Sequence, residues 1–149
     1  MQTWQLNFIT AYAAFSIIGA GLGYYFSKKG KTYKNDGIFN LIGAFVWADA
    51  TVFGIFWALA SSAALYLKSW TLFLLLLSVF WLVRSIGETV YWFNQQFSTI
   101  HRSNPENFFI YRIFGDDSVW FVWQIFWQCV TVVTLITTVL MFKIWLGTV

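Results

Sequence analysis

Four long runs of apolar residues alternate with short polar linkers along the chain. The runs cover residues 4–26, 39–67, 70–97 and 118–146. Each run is long enough to cross the hydrocarbon core of a bilayer, which takes ~20 helical residues. Because a backbone in lipid must satisfy its own hydrogen bonds, each run is predicted to be a transmembrane helix. The sequence therefore predicts an all-α membrane protein, a four-transmembrane-helix bundle forming a single integral membrane domain.

The linker between the third and fourth runs carries the signals of a short helix. In NPENFFIYRIFG, Asn104 suits a helix N-cap, Pro105 suits a first turn and Gly115 suits a stop. Glu106 favours the positive end of the helix dipole. The aromatic side chains of this segment are typical of the headgroup layer. We expect a short interfacial helix between spans three and four.

The composition agrees with a chain that is mostly covered by lipid. Hydrophobic residues make up 59% of the sequence and charged residues 10%, with a mean hydropathy of +0.65. A soluble domain carries about 25% charged residues, so the polar side chains here are too few to cover a globule. The ten tryptophans suit helix ends at the headgroups. The lipid bilayer is therefore the expected partner.

The basic residues indicate how the spans are oriented. They concentrate in linkers 27–38 and 98–117, at Lys28, Lys29, Lys31, Lys34, Arg102 and Arg112. The positive-inside rule predicts that both linkers are cytoplasmic and both termini face outward, in a plasma or inner membrane. Nothing basic precedes the first span, so we expect it to be retained rather than cleaved as a signal peptide. The net charge of +3 is interpreted as orientation, not as nucleic-acid binding.

Strongly polar residues interrupt the apolar runs at a common depth. They are Asp49, Arg84, Glu88, Gln124 and Gln128. At a rise of ~1.5 Å per residue, Asp49 lies ~15 Å from a span start at Phe39, and Glu88 lies ~14 Å from a span end at Phe97. We expect the five side chains to form one polar layer in the cytoplasmic half of the bundle.

The charges of this layer point towards proton or cation handling. Arg84 and Glu88 are four residues apart and can pair on one helix face. A lone charge at the centre of a membrane helix costs about 2.5–3.5 kcal/mol, which favours such pairing. Asp49 adds a second negative charge, which calls for a protonated carboxyl, a bound cation or water. The alternative is a fixed Arg84–Glu88 pair, with Asp49 in a hydrated crevice.

Several neighbours are expected to support this layer. Trp81, Tyr91 and Gln95 extend the same face of the third span, and Thr131 lies on the fourth. Trp81 is spaced to stack on the Arg84 guanidinium.

Three functions remain open on these observations. The leading hypothesis is a small transporter or channel-like protein, in which Asp49 and Glu88 bind the proton or cation and Arg84 competes for them. The first alternative is a non-catalytic membrane subunit or assembly protein. Gly19 and Gly23 form a G-x-x-x-G pair that suits close helix packing, either within the chain, in a homo-oligomer or against a larger complex. The second alternative is a lipid- or quinone-modifying enzyme with a lateral cavity beside Glu88.

Other chemistries find little support. The one histidine, His101, lies in a linker, and the one cysteine, Cys129, has no second ligand in its span. No zinc, haem, phosphate-loop or dinucleotide pattern occurs. We predict no metal site, no cofactor and no catalytic residue, and an enzyme is the least expected of the three functions.

Overall fold

The computed structural model describes residues 1–33, 37–99, 106, 108–115 and 118–147. Within these ranges the regular structure is helical. The helices are α1 (Thr3–Lys28), a 3-10 helix (Ile38–Ile42), α2 (Trp47–Tyr66), α3 (Trp70–Phe97), α4 (Tyr111–Phe114) and α5 (Ser118–Leu146). The four long helices are apolar enough to cross a membrane. The predicted all-α membrane architecture with four spans is confirmed.

Most predicted span limits agree with the observed helices, but the start of span two is wrong. Helix α2 begins at Trp47, not at Phe39. The preceding residues form the 3-10 helix, whose flanking residues Gly37 and Gly43 have φ values of +77° and +76°. These left-handed conformations, which glycine adopts without strain, end the helical path on both sides. An apolar run therefore contains a second, shorter element before α2.

The short helix between spans three and four is also confirmed. Helix α4 covers Tyr111–Phe114 and ends at Gly115, whose φ is +66°. The Gly115 N–H donates to the Tyr111 carbonyl at 2.8 Å, which closes the turn as the glycine signal predicts. Helix α4 begins later than the sequence signals predict, since its N-cap is Ile110. The predicted N-cap Asn104 and the predicted first-turn residue Pro105 lie outside the described residues.

The chain forms two compact units, Met1–Leu76 and Leu77–Val149. The first unit holds α1, the 3-10 helix, α2 and the first residues of α3. The second unit holds the rest of α3 together with α4 and α5.

In the first unit, α1 and α2 approach each other closely at glycines. A Cβ atom added at Gly54 would lie 2.5 Å from the Ser16 carbonyl oxygen, and one added at Gly23 would lie 2.6 Å from the Thr51 nitrogen. Such distances leave no room for a side chain, so the two backbones are in direct contact. Next to this contact, the fully buried Trp57 meets Tyr12 edge-on at 5.2 Å between ring centroids.

The 3-10 helix covers the remaining glycine of the G-x-x-x-G pair. A Cβ added at Gly19 would lie 3.0 Å from Phe39 and 3.2 Å from Ile42. The face formed by Gly19 and Gly23 is thus occupied by residues of the same chain, in line with packing within the chain. Its use by another chain stays a prediction.

Candidate functional site

The centre of the site is an ion pair on α3. Nη2 of Arg84 lies 2.8 Å from Oε1 of Glu88, and the side chains are only 16% and 11% exposed. The spacing of four residues places both side chains on one face of the helix, as the sequence predicts. The pair is therefore a charged group held largely away from the surface of the protein.

A tryptophan completes the surroundings of the carboxylate. The indole N–H of Trp92 donates to Oε2 of Glu88 at 3.1 Å. Each carboxylate oxygen thus has a donor, one from Arg84 and one from Trp92. Trp92 was not predicted as part of the site, although it lies one helical turn beyond Glu88, where a contact is expected.

Three hydroxyl groups join α3 to α5 next to the ion pair. The Thr131 hydroxyl donates to Oγ of Ser85 at 3.0 Å, and Oγ1 of Thr134 lies 3.5 Å from the same atom. Ser85 is fully buried, and its hydroxyl donates to the Leu82 carbonyl at 2.9 Å. Hydrogen bonds between hydroxyl groups hold helices together in lipid. Thr131 was expected here, whereas Ser85 was missed.

Two glutamines form a second polar contact between the same helices. Nε2 of Gln96 donates to Oε1 of Gln124 at 2.6 Å. Close by, the rings of Trp92 and Trp123 stack at 6.0 Å between centroids. The amide oxygen of Gln124 is therefore already engaged by a residue of α3. Gln95, which was expected on the Arg84–Glu88 face of α3, is the neighbour of Gln96, and the rotation of the helix about its axis decides which of the two glutamines faces α5.

Gln95 is nevertheless buried. It is 5% exposed, and its Oε1 atom has no hydrogen-bond partner within the part of the chain that the structure describes. A buried amide oxygen without a donor costs free energy, because it has lost its water.

An open groove lies between α3 and α5, and Thr131 of the hydroxyl cluster forms part of its lining. Its volume is about 280 Å³, and its lining residues are Ile86, Thr89, Val90, Gln128, Thr131 and Val132. Gln128, an expected ligand, is exposed at this groove rather than buried. Glu88 does not line this groove. This groove therefore does not provide the lateral opening beside Glu88 that an enzyme would use.

The remaining supporting residues flank the ion pair. Trp81 is half-buried and meets Phe80 edge-on, with centroids 5.9 Å apart. Tyr91 meets Trp92 edge-on at 5.1 Å. Stacking of Trp81 on the Arg84 guanidinium stays a prediction.

Asp49 belongs to the first unit and has a different setting from the one expected. It lies in the first turn of α2, where its Oδ2 accepts the Phe45 N–H at 3.3 Å. The depth predicted from a helix start at Phe39 is wrong, because α2 starts at Trp47. A carboxylate in the first turn is favoured by the helix dipole. Convergence of Asp49 with Arg84 and Glu88 stays a prediction.

The comparisons add no assignment to this geometry. Neither the models of known protein families, nor the curated proteins, nor the solved structures include a match to this chain. Across the described ranges, no group of three or more His, Cys, Asp or Glu side chains is placed to hold a metal ion.

Proposed function

We propose that the protein is a small membrane transporter or channel-like protein that handles protons or a cationic solute, with Glu88 as the exchanging carboxylate. The observation that carries the proposal is the buried Arg84–Glu88 pair within a membrane-spanning helix. An ionisable residue at such a position is expensive to keep, and functional sites are where such residues are found.

The Glu88 carboxylate can interact either with Arg84 or with a bound proton or cation. When Glu88 is ionised, Arg84 neutralises it. When a proton or a cation binds Glu88, the ion pair with Arg84 is weakened. Binding is therefore weakened by competition, and release is assisted. A transport site needs this property, because a solute held too tightly does not leave.

The polar groups along α3 offer a path towards the helix end. From Glu88 the buried face continues with Trp92 and Gln95, whose amide oxygen has no partner within the described ranges. Gln96 and Gln124 follow near the end of α3. These groups can hydrogen-bond water or a solute between the ion pair and the end of the helix. Asp49 is proposed as a second acidic group, and its contribution is tested separately.

Flux into liposomes tests the proposal. The purified protein is reconstituted with a pH-sensitive dye inside, and a potassium gradient with valinomycin drives proton entry. In parallel, uptake of a fluorescent organic cation is followed. We expect the wild type to exceed protein-free liposomes in one of the two assays, and Glu88→Gln to fall to the protein-free level. Asp49→Asn measures whether the second carboxyl takes part.

The matched control is Glu106→Gln, which makes the same chemical change at an exposed position outside the spans. It should leave the flux unchanged. The proposal is wrong if wild-type flux equals that of protein-free liposomes, or if Glu88→Gln, folded and inserted, transports as the wild type does.

A second function is favoured by one specific observation. Both oxygens of Glu88 already have donors within α3, as a fixed structural pair would. This suits a non-catalytic membrane subunit that packs against a larger partner. Mild purification at native abundance separates the two functions. A stoichiometric partner protein supports the subunit function, and an active preparation of this chain alone supports transport.

A further inference from the structure

Residues 37–46, which precede α2, extend from the level of the first residue of α2 towards the middle of α1. The Tyr12 hydroxyl donates to the Leu41 carbonyl at 3.1 Å, and the rings of Phe15 and Phe39 lie 5.0 Å apart between centroids. Farther along the chain, Trp47 returns to the level of Phe26, with centroids 4.5 Å apart. Residues 37–46 thus rise along α1 and come back before α2 begins.

The depth of this excursion follows from α2. Helix α2 has 20 residues, so it is ~30 Å long, the thickness of the hydrocarbon core. Its first residue, Trp47, is at the level of Gly23, since a Cβ on Gly23 would lie 2.7 Å from the Trp47 carbonyl oxygen. Tyr12 precedes Gly23 by 11 residues, or ~16 Å along the helix. Ile42 contacts Gly19, ~6 Å from Gly23 along α1, so Leu41 lies between the levels of Gly19 and Tyr12, ~6 to ~16 Å from the start of α2.

We infer that residues 37–46, which connect α1 to α2 in the chain, are a re-entrant segment. This segment enters the membrane along α1 and contacts lipid acyl chains through Ile38 and Leu41. These two side chains are 65% and 71% exposed, although they lie beside the middle of a membrane helix. The opposite face, with Phe39 and Ile42, is buried against α1. No charged residue occurs from Gly37 to Ala48.

The backbone of the re-entrant segment is prepared for an apolar environment. Besides the bonds within the 3-10 helix, the Gly43 N–H donates to the Asn40 carbonyl at 2.9 Å, and the Ala44 N–H donates to the Phe39 carbonyl at 3.2 Å. Tyr12 supplies a side-chain donor to the Leu41 carbonyl. Irregular backbone is tolerated in a membrane only when its polar groups find such partners.

This inference is independent of the proposed transport function. It concerns the first unit, and it extends the membrane-embedded part of the chain beyond the four spans. It also places the hydrogen bond from the Phe45 N–H to the Asp49 carboxylate at the point where the re-entrant segment leaves the membrane and α2 begins.

Spin-label accessibility tests the inference. In a Cys129→Ser background, a nitroxide is attached at Leu41→Cys, and the protein is placed in phosphatidylcholine bilayers. Collision rates are measured with oxygen, which concentrates in lipid, and with a nickel chelate, which stays in water. Leu59→Cys serves as the lipid control on α2, where Leu59 is 68% exposed, and Tyr33→Cys serves as the linker control, where Tyr33 is 76% exposed.

We expect the label at position 41 to behave as the label at position 59 does, with high oxygen and low nickel collision rates. Nickel accessibility as high as at position 33 would overturn the inference, and so would low collision with both reagents, since that would mean burial by protein. Ile38→Cys provides the same test if Leu41→Cys does not fold. Tyr12→Phe should raise the mobility of the label at position 41 but not at 59. Unchanged mobility would overturn the role given to the tyrosine.

Discussion

The two units of the molecule hold their helices together in different ways. In the first unit, α1 and α2 meet through glycines, with a Cβ on Gly54 only 2.5 Å from the Ser16 carbonyl oxygen. In the second unit, α3 and α5 meet through side-chain hydrogen bonds, from Thr131 to Ser85 and from Gln96 to Gln124. The first contact depends on the absence of side chains, and the second depends on their polar atoms.

The difference indicates where chemistry can take place. Lipid gives no hydrophobic force between helices, so packing and hydrogen bonds must supply the association. A glycine contact is dry and has no group that can titrate. The contact between α3 and α5 lies beside the Arg84–Glu88 pair, so its polar atoms are available to a proton or a solute as well as to each other. We therefore propose a structural task for the glycine contact of the first unit and the main chemical task for the second unit, with Asp49 of the first unit as the additional acidic group to be tested.

The largest expected effect comes from separating the charges of the second unit. Arg84→Gln leaves the Glu88 carboxylate without its cation and should lower the free energy of unfolding by about 3–5 kcal/mol. The double variant Arg84→Gln/Glu88→Gln should regain much of that loss, because no lone charge remains. Unfolding by denaturant titration in detergent micelles measures both. Equal losses in the single and double variants would contradict the importance of the charge.

The next largest effect should come from filling the glycine contact of the first unit. Gly54→Ala places a methyl group against the backbone of α1 and should lower the free energy of unfolding by about 1–3 kcal/mol. Gly21→Ala is the matched control on α1, since no atom lies within 4 Å of an added Cβ there. The same titration measures both variants. Similar values for the two would show that the contact is not close.

A glycine of the second unit should respond in the opposite direction. Gly87 on α3 also has no atom within 4 Å of an added Cβ. Gly87→Ala should raise the free energy of unfolding by up to ~1 kcal/mol, the difference in helix propensity between glycine and alanine. A clear loss in a thermal melt would mean that the second unit, too, needs a close backbone contact.

The smallest effect is expected for one hydrogen bond between α3 and α5. Thr131→Val keeps the shape but removes the donor to Ser85, and such bonds in membranes average about 0.6 kcal/mol. Thr137→Val is the control, because the exposed Thr137 hydroxyl donates only to the Val133 carbonyl of its own helix. A double-mutant cycle with Ser85→Ala isolates the bond between the two hydroxyl groups. A coupling energy of zero would show that this hydrogen bond does not stabilise the contact between α3 and α5.

The sequence predicts the long apolar helices well but not the irregular structure between them. Helices α3 and α5 have the predicted limits, and Gly115 ends α4 as its residue type indicates. The start of α2 was missed because hydropathy cannot distinguish an apolar 3-10 segment from an α-helix. The positive φ angles of Gly37 and Gly43 mark the two ends of the 3-10 helix, but these angles are known only from the backbone conformation.

The candidate site was predictable within one helix and much less so between helices. Arg84 and Glu88 pair because helix geometry fixes positions four residues apart. The contacts of Ser85 with Thr131, and of Gln96 with Gln124, depend on the rotation and the relative shift of two helices. A single sequence does not determine these quantities. Residue spacing within α3 therefore predicts the Arg84–Glu88 pair, whereas it does not predict that Gln96 contacts Gln124.

The central claim is that Glu88 changes its proton or cation occupancy while Arg84 competes for it. The most direct measurement is infrared difference spectroscopy of the reconstituted protein, recorded on a change of pH or on addition of the transported cation. A carboxyl band that responds in the wild type and in Glu106→Gln, and is absent in Glu88→Gln, is the predicted result. A spectrum that is identical in the wild type and in Glu88→Gln would contradict the claim.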